Sequence, residues 1–86
     1  MKLDRNINSD GKGKYALINL RTNKVEWGVV DSEEEFFVLK LKDRHSMVAL
    51  IAYANSVREI DQEFADEVLE LVARSGPRNQ WCKEPD

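Results

Sequence analysis

The segment from Asp61 to Pro77 places the tightest limit on what this chain can fold into. Asp61 can cap a helix running from Gln62 to Ser75. Phe64, Val68, Leu71 and Val72 recur at helical spacing and give it a buried stripe. Arg74 complements the C-terminal dipole, Gly76 takes the position past the cap, and Pro77 stops the run. Upstream, Asp43 can cap another helix, Arg44 to about Arg58, with Met47, Leu50, Ile51, Ala54 and Val57 at the same spacing. With so short a connection the two helices form a hairpin. In a chain of 86 residues this leaves only the first half for everything else.

That first half reads as β structure. The opening dozen residues are polar and rich in Asn, Asp, Ser and Gly, which predicts coil. Lys14 to Leu20 is a first strand and Val25 to Val30, β-branched and aromatic, a second. Arg21-Thr22-Asn23-Lys24 joins them as a hairpin loop in which Asn23 can take a left-handed conformation. Asp31-Ser32-Glu33-Glu34 turns the chain again. In Phe36 to Lys42 the residues Phe37, Leu39 and Leu41 alternate with Val38, Lys40 and Lys42, the period of a third strand. Ser32 and Glu35 could instead form a capping box that opens a helix there. The clean alternation favours the strand. The expected fold is therefore α+β, a three-stranded antiparallel meander followed by a two-helix hairpin packed on the sheet. The alternative is an N-terminal β-hairpin plus three helices. The expected divisions are a polar arm at 1–13, one domain at 14–75 and a polar tail at 76–86.

The apolar residues exceed what one sheet face and two helices bury. Strands one and three are apolar on both faces, and the first helix lacks a polar face from Met47 to Ala54. A helix apolar all round is usually covered on more than one side. The surplus predicts a homo-oligomer, with Leu17, Phe36 and Val38 on the outer sheet face as its interface.

Composition removes several classes. Hydrophobic residues are 42% and charged residues 34%. The longest apolar run, Met47 to Ala54, is far below the roughly 18–20 residues of a spanning helix, so no membrane association is expected. The N-terminus turns polar after Met1, unlike a signal peptide. A single cysteine, Cys82, cannot staple a fold and points to a reducing, cytoplasmic setting. One His and one Cys cannot build a zinc cluster, and no metal or cofactor is expected. Asn6 to Gly11 has oxygen ligands at calcium-loop spacing, but Leu17 stands where the loop requires its bidentate Glu.

The net charge of −3 conceals a polarity. Residues 1–24 carry six Lys and Arg against two Asp, whereas 25–75 are mostly acidic. In the basic part, Gly11-Lys12-Gly13-Lys14 could offer backbone N–H groups and two ammonium groups to a phosphate, without the spacing of a P-loop. Lys12, Lys14, Tyr15 and Arg44 are thus candidates for a nucleotide-type ligand. The negative overall charge argues against nucleic acid as the partner. In the second helix, Glu63, Asp66, Glu67 and Glu70 form a one-signed stripe that could meet a basic surface, and Trp81 could anchor a protein partner. The competing account of the stripe is a solvated helix face. His45 has only helical neighbours beside it, and Cys82 only Lys83, so no catalytic residue is assigned and no enzyme is expected.

Two segments carry a resemblance. The stretch Lys2 to Leu20, with its Gly-Lys-Gly-Lys-Tyr-Ala-Leu step, and Phe36-Phe37-Val38-Leu39-Lys40-Leu41-Lys42 are similar to small uncharacterised accessory proteins of tailed bacteriophages. Such proteins include inhibitors of bacterial defence systems, some binding host proteins and some sequestering nucleotide signals. The resemblance implies binding rather than catalysis. The expected function is a small non-enzymatic protein that self-associates and occupies a partner. The alternatives are a small-ligand binder and, behind it, a nucleic-acid-binding accessory protein.

Overall fold

The computed structural model describes Leu3 and residues 9–85. The first half of the Asn6 to Gly11 segment, residues 6–8, lies outside the described residues. The chain divides into two compact units, residues 1–38 and 39–86. The fold is α+β, with a two-stranded antiparallel sheet and two α-helices.

In the first unit, β1 (Leu17–Asn19) pairs with β2 (Lys24–Glu26), in the register Leu17 to Glu26, Ile18 to Val25 and Asn19 to Lys24. Asn19 builds the turn between them. Its Oδ1 accepts from the N–H groups of Arg21 and Thr22, and its carbonyl accepts from Asn23 at 2.7 Å. Asn23 takes the left-handed conformation expected of it, at φ 58°. Both strands are shorter than expected. Gly28 explains the end of β2: its φ of +60° is left-handed and breaks the pleat. It is buried beneath the Phe36 ring, whose edge lies 2.5 Å from where a Cβ would stand. Beyond it, Ser32 closes a turn through its N–H and hydroxyl, both donated to the Val29 carbonyl. Glu35 reaches back to accept from the Asp31 N–H at 3.0 Å. Ser32 and Glu35 thus make a turn and open no helix.

The third strand expected over 36–42 is corrected by the structure: these residues form neither strand nor helix. Alternation supplies a suitable face, but a strand also needs a partner for its backbone. Here the carbonyls at the end of the segment go elsewhere. Leu41 accepts from the Ser46 hydroxyl and from the Gly76 N–H, and Lys42 accepts from the Lys83 N–H. The meander and the three-helix alternative are both replaced by a single hairpin and two helices.

The second unit is a helical hairpin, α1 (Ser46–Val57) and α2 (Gln62–Val72), followed by a short 3-10 helix, Gly76–Arg78. Asp61 caps α2 as expected, its Oδ1 accepting from the Phe64 N–H at 3.0 Å. Asp43 lies too early to cap α1. His45 occupies that position without a side-chain cap, and Asp43 accepts from the His45 N–H instead. The core consists of Ala54, Ala65, Val68 and Val72, with Leu50, Val57 and Leu69 packed beside it. Alanine at the contact lets the two helices approach closely. Phe64, expected in the stripe, lies at its edge and is 41% exposed, with its ring edge-on to Tyr53 at 6.2 Å.

The start of α1 and the end of α2 are locked by backbone polarity. Ser46 and Ser75 are fully buried, and every buried side-chain polar atom among the described residues has a partner. The Gly76 N–H donates to both the Leu41 carbonyl and the Ser46 hydroxyl. α2 ends at Val72 rather than at the expected Ser75, with Ala73 as its C-cap, and Gly76, left-handed at φ +52°, opens the 3-10 helix instead of following the cap. Lys83 forms a parallel bridge with Asp43 and accepts from the Arg44 N–H, so the segment after Pro77 is fastened to the base of α1.

Candidate interaction surfaces

The acidic stripe is where the sequence places it. Glu63, Asp66, Glu67 and Glu70 are all exposed and face away from Ala65, Val68 and Val72. Among the described residues none of the four carboxylates forms an ion pair. Asp66 accepts from the Gln62 amide at 2.8 Å, and Arg74 donates to the Glu70 backbone carbonyl at 3.4 Å. The stripe therefore has no cation set against it, and each like-charged i, i+3 or i, i+4 pair costs about 0.2–0.5 kcal/mol. It is also the solvent face of an amphipathic helix, which is how an unengaged α2 would look.

The candidate ligand residues separate into two groups. Lys12, Lys14 and Tyr15 belong to the first unit and Arg44 to the second. Lys12 Nζ stands 4.4 Å from the centre of the Trp27 ring, and Lys14 Nζ 5.6 Å from the Tyr15 ring. Each ammonium is thus already drawn to an aromatic face. Arg44 Nε contacts Glu84 Oε1 at 2.8 Å, and His45 Nε2 lies 3.2 Å from the other Glu84 oxygen. All three side chains are well exposed, so these pairs contribute little to stability. Among the described residues no group of three or more His, Cys, Asp or Glu could hold a metal ion.

Of the expected oligomer residues, Leu17 and Val38 are exposed, whereas Phe36 is partly buried over Gly28. Trp81 is 67% exposed, its position held through its own N–H, which donates to Asn79 Oδ1.

The surface that sequence reasoning left without a site is α1. From Ser46 to Val57 it has no ionisable side chain except Tyr53, yet only Ser46 and Ala54 are buried. Val48 is 72% exposed, Tyr53 52% and Ile51 39%, and Ala49 and Ala52 are also exposed. The missing polar face was legible as surplus apolar residues. The interface residues expected from the sequence lie on the sheet, whereas in the second unit α2 covers one side of α1 and Val48, Ala49 and Ala52 stay exposed on the other. No helix among the described residues is long and apolar enough to cross a membrane.

Comparison with known proteins finds no matching family model, no matching curated protein and no matching solved structure.

Proposed function

We propose that this chain is a non-enzymatic binding protein that self-associates and acts by occupying a protein partner. One observation carries the reading: α1 exposes Val48, Ala49, Ile51, Ala52 and Tyr53 with no charged group among them. Contiguous exposed apolar surface on a small chain marks an interaction site more often than a solvent face. Self-association would use that surface and leave the α2 carboxylates and Trp81 outward. A one-signed stripe favours a basic partner surface through steering and register more than through raw affinity. The resemblance to phage accessory proteins makes a host or defence protein the kind of partner to seek.

The test is affinity capture from lysate with wild type and with Glu63, Asp66, Glu67 and Glu70 all changed to Lys. Loss of the captured protein on charge reversal is the expected result. Unchanged capture would remove the stripe from the mechanism.

A second reading is favoured by the first unit, which brings two ammonium groups, Lys12 and Lys14, to the rings of Trp27 and Tyr15. Cations and aromatic faces together suit a nucleotide. Thermal-shift measurements against a nucleotide panel would show stabilisation of about 2.7 kcal/mol at a ligand concentration of about 100 times Kd. No shift across the panel excludes this reading.

A further inference from the structure

We infer that the ligand of the first unit is a single-stranded nucleic acid, its bases stacked on Trp27 and Tyr15 and its phosphates on Lys12 and Lys14; this rests on the second reading above, that these groups take a nucleotide, and specifies the form in which the nucleotide comes. Lys12 Nζ stands 4.4 Å from the centre of the Trp27 ring, and Lys14 Nζ 5.6 Å from the centre of the Tyr15 ring. The unit thus presents the same pairing of ammonium group and ring twice, from neighbouring positions of the chain.

Chemistry selects an anion that carries flat aromatic groups. Among the described residues neither ammonium is paired with a carboxylate. The stretch 11–25 holds four cations, Lys12, Lys14, Arg21 and Lys24, and no acid. Of these, Lys24 has a carboxylate oxygen of Glu34 at 3.8 Å. An acidic peptide would meet the ammonium groups and put nothing flat on the rings. An apolar surface would cover the rings and leave the ammonium groups without an anion. A nucleotide serves both. The net charge of −3 is a sum over the whole chain, whereas residues 1–24 carry six Lys and Arg against two Asp.

Exposure selects a strand over a lone nucleotide. A small-molecule site encloses most of its ligand. Here Trp27 is 49% exposed and Tyr15 39%, so both rings stand at the surface. An open platform holds its ligand by adding shallow contacts along the ligand's length. One nucleotide has a single base for two rings, and a strand has a base for each. Two residues of chain span at most about 7 Å, which keeps Lys12 and Lys14 close enough to serve consecutive nucleotides. Binding exchanges the contacts already present. An exposed cation–π pair is weaker than a base stacked on an aromatic ring, so the base takes the ring and the ammonium turns to the phosphate. A duplex keeps its base faces within the stack and presents only its backbone to such a platform.

The experiment uses the full chain and a fluorescein-labelled oligothymidylate of about eight nucleotides, followed by anisotropy at about 20 mM salt. Unlabelled oligomer, thymidine monophosphate and a DNA duplex serve as competitors. The oligomer should bind about a hundredfold more tightly than the monophosphate, and more tightly than the duplex. Lys12→Gln and Lys14→Gln should each reduce the slope of log affinity against log salt by about 0.7. In a Trp81→Phe background the unlabelled oligomer should quench the fluorescence of Trp27. Trp27→Ala should weaken binding about tenfold, and Trp27→Phe, which keeps a ring in place, should recover most of that loss. Should Trp27→Ala alter the circular dichroism spectrum, the quenching and the two salt slopes still decide. No binding of oligomer or monophosphate overturns both the inference and the nucleotide reading. Affinities within about tenfold of each other, which the several positions along the oligomer supply by counting alone, overturn the strand and leave the nucleotide reading standing. An oligomer bound no better than the duplex overturns the stacking platform. Binding that leaves Trp27 unquenched, with parental salt slopes in both lysine variants, overturns the site.

Discussion

At the residue scale, the fold depends on a few positions where the backbone admits one side chain. Gly76 is left-handed, and a Cβ there would stand 2.9 Å from the Arg44 carbonyl and 3.1 Å from Met47 Cβ. Gly76→Ala therefore combines strain with a clash against backbone and should destabilise the protein by about 2–4 kcal/mol in urea denaturation. Gly28→Ala meets the Phe36 ring instead. A ring can shift more readily than a backbone carbonyl, so its cost should be smaller, about 1–3 kcal/mol by the same measurement. Asp61→Ala removes the one side-chain cap of α2 and should cost about 1 kcal/mol. Asp61 was legible in the sequence because a cap is local: a few neighbouring residues contain the whole requirement. Ser46 was not. Its hydroxyl links the Leu41 carbonyl to the Gly76 N–H across thirty positions, and nothing near Ser46 in sequence announces that.

At the element scale, the two helices show what a periodic pattern does and does not determine. In α2 the apolar and acidic residues separate onto opposite faces, so the buried side could be read directly. In α1 apolar residues surround the axis, and the pattern names a helix without naming its inner face. The structure selects Ala54, with Leu50 and Val57 beside it, and leaves Val48 bare. The paired substitutions Val68→Ala and Val48→Ala measure that choice. The first should cost about 2 kcal/mol and the second less than about 0.5 kcal/mol when denaturation is followed at a concentration where the chain is monomeric. Residues 36–42 show the opposite failure. Their alternation is genuine, but a strand is a relation between two backbones, and the carbonyls of Leu41 and Lys42 are taken by Ser46, Gly76 and Lys83.

At the scale of the whole molecule, the two kinds of surface should respond differently to salt. Contact through the uncharged face of α1 rests on apolar burial and should weaken little between about 0.05 and 0.5 M salt. Partner capture through Glu63, Asp66, Glu67 and Glu70 should fall over the same range, as exposed charges are screened beyond a few ångströms. Sedimentation and capture performed in parallel on one preparation check both expectations. The acidic candidate surface was legible because charge on an amphipathic helix has only one side on which to lie. The apolar candidate surface was legible in amount but not in place.

The sequence by itself determined the α+β class, the hairpin turn at Asn23, the start of α2 and the surplus of apolar residues. Each of these follows from spacing or from backbone preferences acting over a few residues. The tertiary structure decided that the β region stops at two short strands, that Leu41 and Lys42 serve the ends of the helices, and which side of α1 is left uncovered. Those outcomes depend on which distant backbone groups and side chains compete for the same partner, and no local pattern encodes the result of that competition.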